Sequence, residues 1–213
     1  MRPPESWSTA RVTLVLTLVI GGVWILLALL RLNEWAVGWG GFVPARVGAE
    51  GATAGAPVWL TPLTATLVHA SNPIHVIFNL IILVFCGRPT EAVVGRVGFI
   101  LLYVIGAYAA AAAHYLIFPD SLAPMVGSSG AISAVLGAYA ILFGRNKVRV
   151  ANPTLALWLN ALWLMVAWVV LNVIVAFAAA TAELGIAFGA HIGGFLIGVV
   201  LANPLLLLRY RRA

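Results

Sequence analysis

The chain has 213 residues, of which 63% are hydrophobic and only 8% are charged. Soluble domains ordinarily carry roughly 25% charged residues, so this composition excludes a soluble globule and indicates an integral membrane protein. The net charge of +6 does not indicate nucleic-acid binding, because the basic residues are scattered at the ends of apolar runs rather than clustered with aromatic residues. The apolar runs are long and do not alternate, which predicts a bundle of membrane-spanning helices in a single domain covering residues 1–213.

A short polar leader, residues 1–11, precedes the first apolar run at 12–30. We predict a membrane span here rather than a signal peptide, because the run is too long for a signal sequence and no small-residue cleavage site follows. The next segment, 32–72, is rich in Trp and Gly, and this density of amphipathic Trp predicts a loop lying in the membrane interface at the outer face.

Five further apolar runs follow. Asn72 before Pro73 is a helix-start signal, so a second span is predicted at 73–86 and is followed by a basic turn. The remaining spans are predicted at 97–118, 129–144, 153–179 and 184–208. The fourth covers only about 16 residues, or about 24 Å, so we expect its first residues to lie below the membrane surface in a protein-lined cavity.

Six spans place both chain termini on the same side of the membrane, and the basic residues indicate which side. Of the twelve lysines and arginines, only Arg31 and Arg46 fall opposite the termini. The other ten are Arg2, Arg11, Arg88, Arg96, Arg145, Lys147, Arg149, Arg209, Arg211 and Arg212. This positive-inside bias predicts cytoplasmic termini and suits a bacterial inner membrane.

Candidate catalytic residues fall at the outer ends of three spans. Ser129 begins the fourth span, and His191 lies two turns into the sixth. Small residues recur along both helices, which allows the close approach at which an imidazole activates a serine hydroxyl. His75 and Asn79 share one face of the second span and, with the Ser129 backbone N–H, are candidate oxyanion donors. No carboxylate is placed behind the histidine, so the pattern predicts a Ser–His dyad.

Each of these residues also has a structural interpretation. A serine in a membrane helix usually bonds a carbonyl of its own chain, and His75 with Asn79 could simply join helices by hydrogen bonds. His191 would equally suit a proton path. His69 and His114 are predicted to be interfacial or packing residues. Ser129, His191, His75 and Asn79 are all predicted at a similar depth in the membrane. This joint occurrence favours a catalytic site over the structural interpretations.

Three motifs resemble the signatures of the rhomboid intramembrane serine proteases, in the same order and over about residues 57–208. They are Gly127-Ser128-Ser129-Gly130, Ala190-His191-Ile192-Gly193-Gly194 with Gly198, and His75-Val76-Ile77-Phe78-Asn79. The resemblance implies a six-transmembrane-helix rhomboid-like bundle, whose substrates are transmembrane proteins cut near the outer membrane boundary. It implies no metal and no cofactor.

The resemblance also assigns roles to residues. Ser129 would be the nucleophile, with Ser128 a bystander, and His191 would be the base; His75, Asn79 and the Ser129 amide would form the oxyanion hole. Glu91 would stabilise the cytoplasmic end by hydrogen bonding. Structural support would come from Gly127, Gly130, Gly137, Gly194 and Gly198. The fifth span would be a lateral gate, braced or blocked by Trp158, Trp163 and Trp168.

Two departures from the family pattern have consequences. The first loop has no Trp-Arg pair, and position 133 is Ser where relatives often carry an aromatic ring against the histidine. The second departure predicts that His191 is held less firmly. Two other functions stay open: a catalytically silent binder of membrane clients, and a small proton-coupled transporter. The transporter is disfavoured because His75, Asn79 and His191 cluster at the outer end.

Overall fold

The computed structural model describes residues 10–49, 55–144, 150–178 and 188–210. Within these ranges the regular secondary structure is helical, and the connecting segments include one isolated antiparallel bridge, between Phe42 and Met125, which confirms the all-α prediction. The helices are α1 (Arg11–Leu30), α2 (Asn33–Gly40), α3 (Thr61–Leu67), α4 (Pro73–Ile82), α5 (Arg88–Ile117), α6 (Ser129–Phe143), α7 (Pro153–Ala178) and α8 (Phe188–Tyr210). The predicted leader up to residue 9, the basic segments 145–149 and 211–213, and the predicted span residues 179 and 184–187 lie outside the described residues.

Four helical stretches of the described chain are long and apolar enough to cross a membrane. They are Arg11–Leu30, Pro73–Ile117, Pro153–Ile174 and Phe188–Tyr210, and the shorter apolar helix α6 joins them. Length and hydropathy of this kind are typical of an integral membrane protein.

The segment after α4, predicted as a basic turn, is helical over most of its length. A π-helical segment, Leu83–Gly87, joins α4 directly to α5, and the backbone stays helical through Val94. It departs from helical geometry only at Gly95, with φ 79° and ψ 168°. Residues other than glycine rarely adopt a positive φ, which explains why the break occurs at a glycine. The break divides the stretch into two helical segments.

The first loop, predicted from 32 to 72, includes regular secondary structure in its described residues. It contains α2, α3 and a 3-10 turn at Pro44–Arg46. The Thr64 hydroxyl donates to the Gly40 carbonyl at 2.6 Å and thereby ties α3 to the end of α2. These contacts fix the chain just before α4.

The centre of the fold is formed by α5, α6 and α8, which pack against one another more extensively than the other helices. Every residue of α6 from Ser129 to Ala138 is buried. At Gly198 an added Cβ would collide with the backbone of Ala134, and at Gly137 it would collide with the Phe195 carbonyl oxygen. Backbones that touch at glycines let α8 lie directly on α6, as small-residue faces do in membrane bundles.

Glu91, near the start of α5, holds the beginning of α1. Its side chain is 1% exposed, and its carboxylate accepts hydrogen bonds from the Val12 N–H (2.9 Å), the Thr13 N–H (2.7 Å) and the Thr13 hydroxyl (2.8 Å). Residue Ala10, which precedes α1, provides no side-chain cap. Glu91 therefore serves as the N-terminal cap of α1 from another helix, where the helix dipole also favours a negative charge.

We expect Glu91→Ala to destabilise the protein by about 3 kcal/mol, because it leaves the buried Thr13 N–H and the partly buried Val12 N–H without their charged acceptor. Thermal unfolding in detergent should show a Tm lowered by about 10 °C. Glu34→Ala is the matched control, since among the described residues the hydrogen bond that Glu34 accepts, from Ser71, is exposed. Equal Tm values for the two variants would contradict a capping role for Glu91.

Candidate active site

The turn before α6 requires a glycine. Gly127 has φ 102°, and its N–H donates to the Ala65 carbonyl at 2.9 Å. An added Cβ would lie 2.9 Å from His75 Cε1, so a side chain here would also displace the His75 ring. The turn starts α6 at Ser129, and the Ser128 side chain makes no capping hydrogen bond to the first-turn N–H groups.

Ser129 and His191 meet across the α6–α8 contact. The distance from Ser129 Oγ to His191 Nε2 is 2.9 Å, and the two residues are 6% and 3% exposed. The backbones of α6 and α8 are in direct contact near this pair: an added Cβ at Gly194 would collide with the Gly130 carbonyl oxygen. With the imidazole neutral and its proton on Nδ1, the serine hydroxyl donates to Nε2, which is the geometry for removal of the serine proton.

Helix α4 contributes two further polar side chains. His75 lies against Gly127, two residues before Ser129. Asn79, one turn further along α4, is fully buried, and neither its Nδ2 nor its Oδ1 has a hydrogen-bond partner among the described residues. Burial of an amide without hydrogen-bond partners costs free energy. The Asn79 Nδ2 donor therefore suits a hydrogen bond to an acceptor atom of a bound substrate.

Metal ligation has no support in the part of the chain that the structure describes. There, no three His, Cys, Asp or Glu side chains are grouped so that they would hold a metal ion.

Comparison with protein families accounts for this combination of helices and polar residues. The family model for the Rhomboid domain matches residues 56–208. The chain belongs to the rhomboid family. Rhomboid proteins are helical membrane bundles and typically intramembrane serine proteases, so the resemblance predicted from the three motifs is confirmed. No curated protein matches the chain.

His69 lies beside the candidate site and contacts Ser128, the neighbour of Ser129, a contact that the predicted interfacial or packing role did not include. It is fully buried, and its Nε2 accepts the Ser128 N–H at 3.3 Å and lies 3.3 Å from the Ser128 hydroxyl. Burial, with a smaller effect of His75, lowers the pKa of His69 from 6.5 to about 3, so the ring is neutral near pH 7. Sequence spacing could not reveal this contact, because the two residues are 59 positions apart. His114 is also buried, and its ring lies 5.5 Å from that of Phe118.

The candidate base His191 has an aromatic neighbour despite the serine at position 133. The ring of Trp168, on α7, lies 6.0 Å from that of His191 in an edge-on arrangement. The indole N–H donates to Ser133 Oγ at 2.7 Å. Of the three α7 tryptophans predicted to brace a gate, Trp168 is buried, whereas Trp158 and Trp163 are about half exposed.

Proposed function

We propose that this rhomboid is a serine endopeptidase that hydrolyses peptide bonds in or beside transmembrane segments by a Ser–His dyad. The 2.9 Å contact between Ser129 Oγ and His191 Nε2 is the observation that carries the proposal. The buried, unpartnered amide of Asn79 supports it, because an acyl-transfer site needs donors that become paired only in the reaction.

In the first half of the reaction, Ser129 Oγ attacks the scissile carbonyl carbon while His191 Nε2 takes the hydroxyl proton. The negative charge on the carbonyl oxygen is stabilised by the Ser129 N–H and by the side chains of His75 and Asn79. When the tetrahedral intermediate collapses, His191 gives the proton to the leaving amine, and an acyl-enzyme ester remains.

In the second half, water replaces the amine. His191 removes a proton from the water as its oxygen attacks the ester carbonyl, and the same oxyanion donors act again. Collapse breaks the bond to Ser129 Oγ, and His191 returns the proton to the serine. The enzyme regains its starting state, and the products are a carboxylic acid and an amine.

The proposed topology has six spans, cytoplasmic termini and a site near the outer face of a bacterial inner membrane. The break at Gly95 supports two spans within Pro73–Ile117. The shortness of α6 supports a nucleophile below the membrane surface. Substrates are transmembrane proteins whose helices unwind readily at the cut, with small residues there and helix breakers beyond.

A silent client binder and a proton-coupled transporter are the rival functions. A silent binder would retain client binding without an activated serine. A transporter would use His75, Asn79 and His191 along a proton path and would show flux in proteoliposomes. The direct contact between a serine and the histidine favours the protease, since neither rival requires it.

The purified protein should react with a fluorophosphonate, because the probe forms a covalent bond only with an activated serine. We expect the adduct on Ser129 in peptide mass spectra. We also expect cleavage of a single-span reporter in proteoliposomes, near its outer boundary. Client binding without labelling or cleavage would establish the silent binder instead.

A further inference from the structure

Trp168 connects α7 to three helices at one point. Its ring stacks on Phe78 of α4, with centroids 5.5 Å apart and planes inclined by 18°. One edge faces His191 of α8, and the N–H reaches Ser133 of α6. Elsewhere much of α7 is exposed and apolar, including Trp158 at 53% exposure. The buried Trp168 indole therefore connects this otherwise exposed helix to the candidate site.

The hydrogen bond from Trp168 continues to the proposed nucleophile. Ser133 accepts from the indole Nε1–H at 2.7 Å and donates its own proton to the Ser129 carbonyl, also at 2.7 Å. A serine that bonds the carbonyl four residues earlier is common in helices and needs no external partner. Here the second hydrogen bond comes from another helix and fixes the orientation of a fully buried hydroxyl.

The same indole thus contacts both members of the Ser129–His191 pair, directly at the imidazole and through Ser133 at the serine. An imidazole in a buried pocket needs neighbours on its faces to keep Nε2 aimed at the hydroxyl, since a displacement of about 1 Å can cost up to 10²-fold in rate. The described contacts of His191 include this ring and the Ser129 hydroxyl.

We propose that Trp168 is a positioning residue for the dyad: its ring holds the His191 imidazole, and its N–H, through Ser133, holds the first turn of α6. The inference rests on the proposed protease function. It makes catalysis depend on the position of α7, because movement of this helix away from α4 withdraws the ring from His191 and breaks the bond to Ser133.

Trp168→Phe, Ser133→Ala and the double variant test the proposal. Trp168→Phe keeps a ring and removes the N–H, and Ser133→Ala removes its acceptor. We expect each single variant to lower kcat about tenfold with KM within about twofold, and to lower the rate of fluorophosphonate labelling in parallel. The double variant should be no slower than the slower single variant, because both changes break one hydrogen-bonded chain. Trp59→Phe, the same change at a side chain that is 70% exposed and lies outside α7, should retain wild-type kinetics.

Several results would overturn the proposal. Unchanged kcat in both single variants would show that the hydrogen bond does not position the dyad. A rise in KM alone would assign Trp168 to substrate docking, and multiplicative losses in the double variant would show two unrelated effects. If Trp168→Phe folds poorly, Ser133→Ala still decides, since it preserves every ring. These failures require an active wild type; wild-type cleavage no faster than that of Ser129→Ala would instead refute the proposed function and this inference with it.

Discussion

Cleavage of a single-span reporter should fall by at least about 10³-fold in Ser129→Ala and in His191→Ala. The first variant lacks the attacking oxygen. The second lacks the group that accepts the proton, and a serine hydroxyl at neutral pH is then a poor nucleophile. The 2.9 Å contact between the two side chains implies that they act as one unit.

The double variant Ser129→Ala/His191→Ala should therefore be no slower than either single variant. Residues that act as a unit show strongly non-additive losses, and what remains comes from binding and oxyanion stabilisation. Single-turnover rates with enzyme in excess over reporter measure this without interference from product release.

Ser128→Ala is the matched control for the loss of a hydroxyl. Ser128 is fully buried beside the nucleophile, but its hydroxyl lies against His69 rather than forming the contact with His191. We expect this variant to keep most of the activity. Retained cleavage in the Ser129→Ala protein would refute the dyad mechanism.

Gly198→Ala should destabilise the bundle and reduce cleavage, even though Gly198 lies about two turns beyond His191 on α8. An added Cβ would collide with the carbonyl group and Cα of Ala134. Backbone atoms cannot turn aside as a flexible side chain can, so α8 must move away from α6. Overpacking of this kind costs about 1–3 kcal/mol, and a lowering of Tm by about 3–10 °C is expected.

Activity should respond to Gly198→Ala more strongly than stability does, because separation of α6 from α8 lengthens the distance from Ser129 Oγ to His191 Nε2. Measuring kcat well below the Tm of the variant distinguishes a distorted active site from a smaller amount of folded protein. The matched control is Gly22→Ala in α1, where an added Cβ meets nothing within 4 Å. Wild-type Tm and activity in Gly198→Ala would contradict the role of close backbone contact.

Local pattern predicted the helical class and the starts of several helices. The Asn72-Pro73 signal correctly marks α4, with the Asn72 side chain accepting the Ile74 N–H at 2.9 Å. Helices α6 and α7 begin at the predicted residues, Ser129 and Pro153. These features depend on neighbours in the chain, such as caps, prolines and apolar runs, which a sequence displays directly.

The first loop and the turn after α4 show where local pattern was insufficient. The Trp- and Gly-rich composition of 32–72 predicted a loop in the membrane interface and indicated no helices within it. Helices α2 and α3 form there because contacts such as Thr64 with Gly40 stabilise short helices that would be marginal alone. Likewise, the charged residues Arg88 and Glu91 suggested a turn. Glu91 instead lies within a helix, where its carboxylate binds the buried start of α1.

The sequence by itself determined the membrane class, the family and the identity of the candidate dyad, because these follow from composition and from motifs of adjacent residues. Only the tertiary structure decided that Trp168 contacts His191, that His69 accepts the Ser128 N–H, and that Glu91 caps α1. Each of these contacts joins residues more than twenty positions apart. Such contacts depend on how closely the helix backbones approach, which glycines permit but do not specify.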